Sequence, residues 1–211
     1  MFHFNPDNTV CHALSTAFDV VWVSFLWLLC CVPVVTIGAS TAAMFAAYLP
    51  VCSRSDTGVT KVFFSRFYEN FRCATLCWLL ICLLGGILIL DFAACGSGAL
   101  GGATESLCGI TAFLALLVAA VVPYLFGGIA KFRVTAAQAL KNAVLFAMRF
   151  PLHTLALLAL EALLFAMAAF LLWYALLPSG ILLWLQAKIL NHAFNCYLAA
   201  GRARPEEEYA E

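Results

Sequence analysis

The residue most expensive to keep where the sequence puts it is Glu161, inside an apolar run that extends from Pro151 to about Leu177. A charged side chain in the middle of a membrane helix costs roughly 2.5–3.5 kcal/mol on insertion scales, so such a residue needs a partner or a purpose. The next apolar run, about Ile181 to Ala199, carries Lys188, Asn191 and Asn195 at helical spacing, with His192 beside them. If the two runs form a hairpin around Pro178, equal offsets bring Asn195 to about the depth of Glu161. The candidate intramembrane polar site is therefore Glu161, Lys188, Asn191, His192 and Asn195. Two kinds of chemistry fit it: a polar site for a solute, a proton or a partner helix, or a hydrogen-bonded network that fixes helix packing.

Other reactive residue types lead to less. Cys30, Cys31, Cys73, Cys77, Cys82 and Cys196 lie within or beside apolar runs, where a thiol behaves as a small apolar group. Cys95 and Cys108 bracket a loop and are the one pair for which a disulfide is a candidate. Metal-ligand spacing is absent, and no HExxH, GxSxG, paired CxxC or phosphate-loop motif occurs, so the expectation is no enzyme, no metal and no cofactor. The segment from Gly96 to Gly101 does fit GxGxxG. That fingerprint works only between a strand and a helix, and here it follows an apolar helix, so it reads as a turn.

The elements that must position these residues are membrane helices. Hydrophobic residues make up 65% of the 211 and charged residues 10%, with zero net charge, which leaves no general attraction for nucleic acid. The apolar runs are of the order of the ~20 residues that cross a bilayer core. Three connections, at 33–38, 96–106 and 178–180, carry no lysine or arginine. The others hold Arg54, Lys61, Arg66 and Arg72, then Lys131, Arg133, Lys141 and Arg149, and the tail adds Arg202 and Arg204. Basic residues near span ends stay in the cytoplasm. The expected architecture is thus all-α: about six transmembrane helices in three hairpins, joined by two amphipathic interfacial helices, with both termini inside.

That plan treats residues 1–211 as a single membrane domain, with a short cytoplasmic segment at 1–16 and an acidic tail at 201–211. The first apolar run is expected to be a retained helix, because no basic residue precedes it. Pro33 should stop or kink it. Span two, roughly Gly38 to Val51, is short and made of small residues, which suits close packing inside a bundle, and a half-helix is the other reading. Thr36, Ser40 and Thr41 either expose ligand-binding groups at a broken helix or satisfy the carbonyls that the break frees.

The two interfacial helices are read at 59–72 and 131–149. In the first, Phe64, Phe67 and Phe71 share one face, with Lys61, Ser65, Glu69 and Arg72 on another. In the second, Phe132, Ala136, Ala139, Ala143 and Phe146 oppose Lys131, Thr135, Gln138, Asn142 and Arg149.

Three stretches together resemble the YesL-like family, bacterial multi-pass membrane proteins with a domain of unknown function. They are residues 28–43 (LLCCVPVVTIGASTAA), residues 63–72 (FFSRFYENFR), and residues 139–144 (ALKNAV) with Pro151 and Thr154 following. Pro33, Thr36, Gly38 and Asn70 match its pattern as structural positions. The resemblance implies an integral protein of the bacterial cytoplasmic membrane. It also implies a link to carbohydrate uptake, with ABC-type sugar permease or sensor subunits as partners beside the lipid bilayer. It implies no known activity. The expected function is a non-catalytic accessory or scaffold protein, and the alternative is a small transporter or channel built around Glu161 and its stripe.

Overall fold

The computed structural model describes residues 9–49, 58–96, 104–132, 134–170 and 176–208, and among them the regular structure is entirely helical. In chain order the helices are α1 (Thr9–Cys31), α2 (Ile37–Tyr48), α3 (Val59–Gly96), α4 (Thr104–Lys131), α5 (Ala136–Arg149), α6 (Pro151–Phe170) and α7 (Leu176–Glu208). Two segments, Val59–Cys95 and Ser106–Lys131, are long and apolar enough to cross a membrane, and a third qualifies if the bent pair α5–α6 is one span. Arg54, Arg133, residues 97–103 of the loop between the candidate disulfide partners Cys95 and Cys108, and most of the GxGxxG match lie outside the described residues.

Both chain breaks at proline have the same chemistry. Pro33 cannot donate the helical hydrogen bond, so α1 ends at Cys31 and a short 3-10 turn, Val34–Thr36, leads into α2. The Thr36 hydroxyl lies 2.6 Å from the Cys30 carbonyl oxygen, which the break deprives of an amide donor, and 2.7 Å from that of Pro33, which also accepts from the Thr36 amide at 3.0 Å. Ser40 and Thr41 likewise donate to the carbonyls of Thr36 and Ile37, at 2.9 and 2.7 Å. At the second break Pro151 starts α6 and turns it 106° from α5. Thr154, again three residues after the proline, sits 3.0 Å from both the Ala147 and the Phe150 carbonyl oxygens.

Helix α2 is the centre of the molecule. Nine of its twelve residues are buried, most of them alanine. At ~1.5 Å per residue it is about 18 Å long, too short to cross a hydrocarbon core of ~30 Å by itself. Its close fit to α3 depends on Gly38, where an added Cβ would lie 2.6 Å from the Ala74 carbonyl oxygen and 2.6 Å from Trp78 Cβ. The other end is held at Tyr48, whose hydroxyl lies 3.0 Å from Ser24 Oγ and donates to the Val20 carbonyl at 3.2 Å. Gly180 at the start of α7 packs directly on Ser24.

Three expectations change. Residues 59–72 are not a separate interfacial helix, because nothing between Val59 and Gly96 breaks the helix and α3 runs through unbroken. The two faces are as read, with Lys61, Ser65, Glu69 and Arg72 exposed, but the aromatic face packs on protein: Phe63 is 0% exposed, and Phe64, Phe67 and Phe71 pack against the core. Second, Pro178 and Gly180 lie in the first turns of α7 instead of a loop. Proline is tolerated at a helix start because its missing N–H has no intrahelical acceptor there.

Third, the 33–38 turn and the α4–α5 connection, expected on opposite membrane faces, meet neighbouring turns of α3. Trp78 Nε1 donates to the Val34 carbonyl at 2.8 Å, and Gly38 abuts Ala74. The Cys73 thiol lies 3.5 Å from the Val134 carbonyl oxygen, and that of Cys77 lies 4.0 Å from that of Ala136. Cys73 to Trp78 covers only about 8 Å of helix. Two segments separated by that rise cannot sit on opposite sides of a ~30 Å hydrocarbon core if α3 is the helix that spans it. Loop charge is silent here, because the turn at 33–38 carries none.

Candidate functional site

The polar residues predicted on α6 and α7 do not converge on one centre. Asn191 and Asn195, one turn apart on α7, both accept from Lys131 at the end of α4, with Nζ 2.9 Å from Asn191 Oδ1 and 2.8 Å from Asn195 Oδ1. The same ammonium lies 5.5 Å from the ring centre of Phe194, within cation–π range. Lys188 points elsewhere, its Nζ 3.7 Å above the Trp184 ring. His192 stacks on His153 of α6, ring centres 5.6 Å apart, and its Nε2 is 3.7 Å from the Cys196 thiol.

Glu161 is half-buried on α6, and among the described residues no hydrogen bond or ion pair reaches it. The ion pair present among them joins Arg66 to Glu69 on the charged face of α3, at 3.1 Å. Asn195, expected at the depth of Glu161, accepts from Lys131 instead. Lys131 belongs to α4 as its last residue, not to a connection, and from there it reaches α7. A half-turn of side-chain direction decides such pairings, and spacing along one chain does not encode it.

Neighbouring polar groups escaped the sequence reading altogether. Tyr124 Oη lies 3.1 Å from Thr154 Oγ1, so the proline break of α6 is tied to α4. Gln186 is 2% exposed on α7, and its amide nitrogen has no partner among the described residues. The same holds for Asn70 Nδ2, the asparagine of the family-like pattern on α3, and for Thr75 Oγ1. Cys95 and Cys108 are free thiols in side-chain contact, one at the end of α3 and one near the start of α4. No group of three or more metal-ligating side chains forms among the described residues.

What the arrangement does is join helices. Lys131 ties α4 to α7, Tyr124 ties α4 to α6, Ser24 and Tyr48 tie α1 to α2, and Trp78 ties α3 to the proline turn. These features define an α-helical protein with helices apolar enough to cross a membrane. Residues 20–92 match a family described as a protein of unknown function, DUF624. No curated protein and no solved structure matches the chain. The matched stretch begins in α1 and ends within α3, so it contains Pro33, Thr36, Gly38 and Asn70 and omits the whole Lys131–α7 cluster.

Proposed function

We propose that this protein is a multi-pass accessory or scaffold component of the bacterial cytoplasmic membrane, non-catalytic, with its basic segments toward the cytosol and working beside sugar-uptake machinery. The observation that carries the reading is the use of the polar groups. Lys131, Asn191, Asn195, Tyr124, Thr154, Ser24 and Tyr48 are engaged between helices, as in a packing network. A cavity of about 590 Å³ lies between α3 and α4, lined by residues such as Gly85, Phe92 and Ala115. The connection to carbohydrate import rests on the YesL-like resemblance of residues 28–43 and 63–72.

A second reading, a small transporter, is favoured by one observation: the Glu161 carboxyl, which no hydrogen bond or ion pair reaches among the described residues. Solubilisation of native membranes in mild detergent, affinity capture and mass spectrometry separate the two. A scaffold brings down permease or sensor subunits at fixed stoichiometry. Capture of the protein alone, with solute flux in liposomes that Glu161→Gln abolishes while the fold persists, would replace the scaffold reading with the transporter.

A further inference from the structure

Helix α5 is apolar on one side and basic on the other. Ala139, Ala143 and Phe146 are buried against the bundle, whereas Lys141, Asn142 and Arg149 are exposed. Its end meets α6 at 106°, so with α6 along the bilayer normal α5 lies near the bilayer plane. A basic amphipathic helix in that orientation occupies the boundary between headgroups and acyl chains.

Between α5 and the last part of α7 the structure has a half-open groove of about 690 Å³. Its walls are apolar, including Phe132, Phe146, Met148 and Leu198, and its polar side chains are Asn142 and Arg149. The Arg149 guanidinium lies 5.7 Å from the ring centre of Tyr197, and no carboxylate pairs with it among the described residues. Among the described residues no acidic side chain lines the groove. At its floor Phe146 packs edge-on against Phe194 and Tyr197, ring centres 4.9 Å apart in each case. The apolar wall continues onto the surface through Met148, 77% exposed, and Leu145, so the groove opens sideways along an apolar rim.

We propose that this groove is a binding site for an anionic phospholipid of the surrounding bilayer, its phosphate on Arg149 and Asn142 and an acyl chain along Phe132, Phe146 and Leu198. A cation that no carboxylate pairs with among the described residues, at the mouth of a hydrocarbon groove, is complementary to an amphiphile with one negative head and an apolar tail. The planar guanidinium donates two parallel hydrogen bonds to a phosphate, which a zwitterionic lipid offers with a cancelling positive charge close by. This site is independent of the scaffold reading, since either kind of membrane protein can carry it.

The test is native mass spectrometry of the full-length protein in mild detergent, titrated with phosphatidylglycerol, phosphatidylcholine of the same chains, or inorganic phosphate. One phosphatidylglycerol should be retained at concentrations where phosphatidylcholine is not, and phosphate alone should neither bind nor raise the melting temperature. Arg149→Gln should weaken phosphatidylglycerol retention about tenfold, the scale of one charge-assisted hydrogen bond, and Arg149→Lys should restore part of it. Equal retention of both lipids would overturn the proposal without recourse to any variant. So would protection by phosphate alone, or unchanged retention in a folded Arg149→Gln protein.

Discussion

Helix α2 and the second half of α3 are both apolar and live in different surroundings. In α2 the apolar residues are small and face protein on every side, with Ala39, Ala42, Ala43 and Ala46 all fully buried. Beyond Trp78, α3 is built of leucine and isoleucine, and Leu79, Leu80, Leu83, Ile87, Ile89 and Leu90 are all exposed. Glycine marks the same divide. Gly38 has backbone within reach of a missing Cβ, whereas Gly85 and Gly86 have nothing within 4 Å. Hydropathy ranks both segments as membrane material. Side-chain volume distinguishes the one that neighbouring helices enclose from the one whose large side chains stay exposed.

The comparison is open to breakage, and the sharpest blow falls on the leucines. Leu125 of α4 is 1% exposed and Leu83 of α3 is 68% exposed. Leu125→Ala should cost about 2–5 kcal/mol, because the cavity cannot fully collapse. Leu83→Ala should cost well under half of that. Thermal unfolding of both variants in the same detergent checks this, and equal losses would mean that the α3–α4 hairpin is enclosed by protein after all.

Glycine gives the next largest contrast. Gly38→Ala should destabilise by about 1–3 kcal/mol through overpacking against Ala74 and Trp78. Gly86→Ala should be neutral or stabilising by up to about 1 kcal/mol, since it adds only helix propensity. Tolerance of alanine at position 38 would show that α2 can move away from α3, and the buried-centre account would fail.

How much of this was readable beforehand depends on whether a residue's neighbours are local. The break at Pro33, its repair by Thr36 and the apolar face of α5 all follow from groups within one or two turns, and sequence spacing reports those well. Continuity of α3 was missed because a change from amphipathic to uniformly apolar pattern looks like a boundary, although no residue there ends a helix. The enclosure of α2 was half legible in its alanines. The pairing of Lys131 with Asn191 and Asn195 was not, since it spans 60 and 64 positions and turns on how two helices cross.

That pairing supplies the smallest expected effect. Polar contacts between membrane helices average about 0.6 kcal/mol, so the cycle Lys131→Met with Asn195→Leu should show a coupling of that order. A coupling indistinguishable from zero would leave Lys131 as a snorkelling cation and remove the main link between α4 and α7.

The claim on which the arrangement depends is that the Pro33 turn and the α4–α5 connection lie at one height along α3. Spin labels at Val35 and Gln138, both in exposed or half-exposed surroundings at their helix ends, report it directly through pulsed dipolar spectroscopy in nanodiscs. The account predicts a label separation clearly shorter than the ~30 Å of a hydrocarbon core. A separation equal to or longer than that thickness would put the two turns on opposite faces and contradict it.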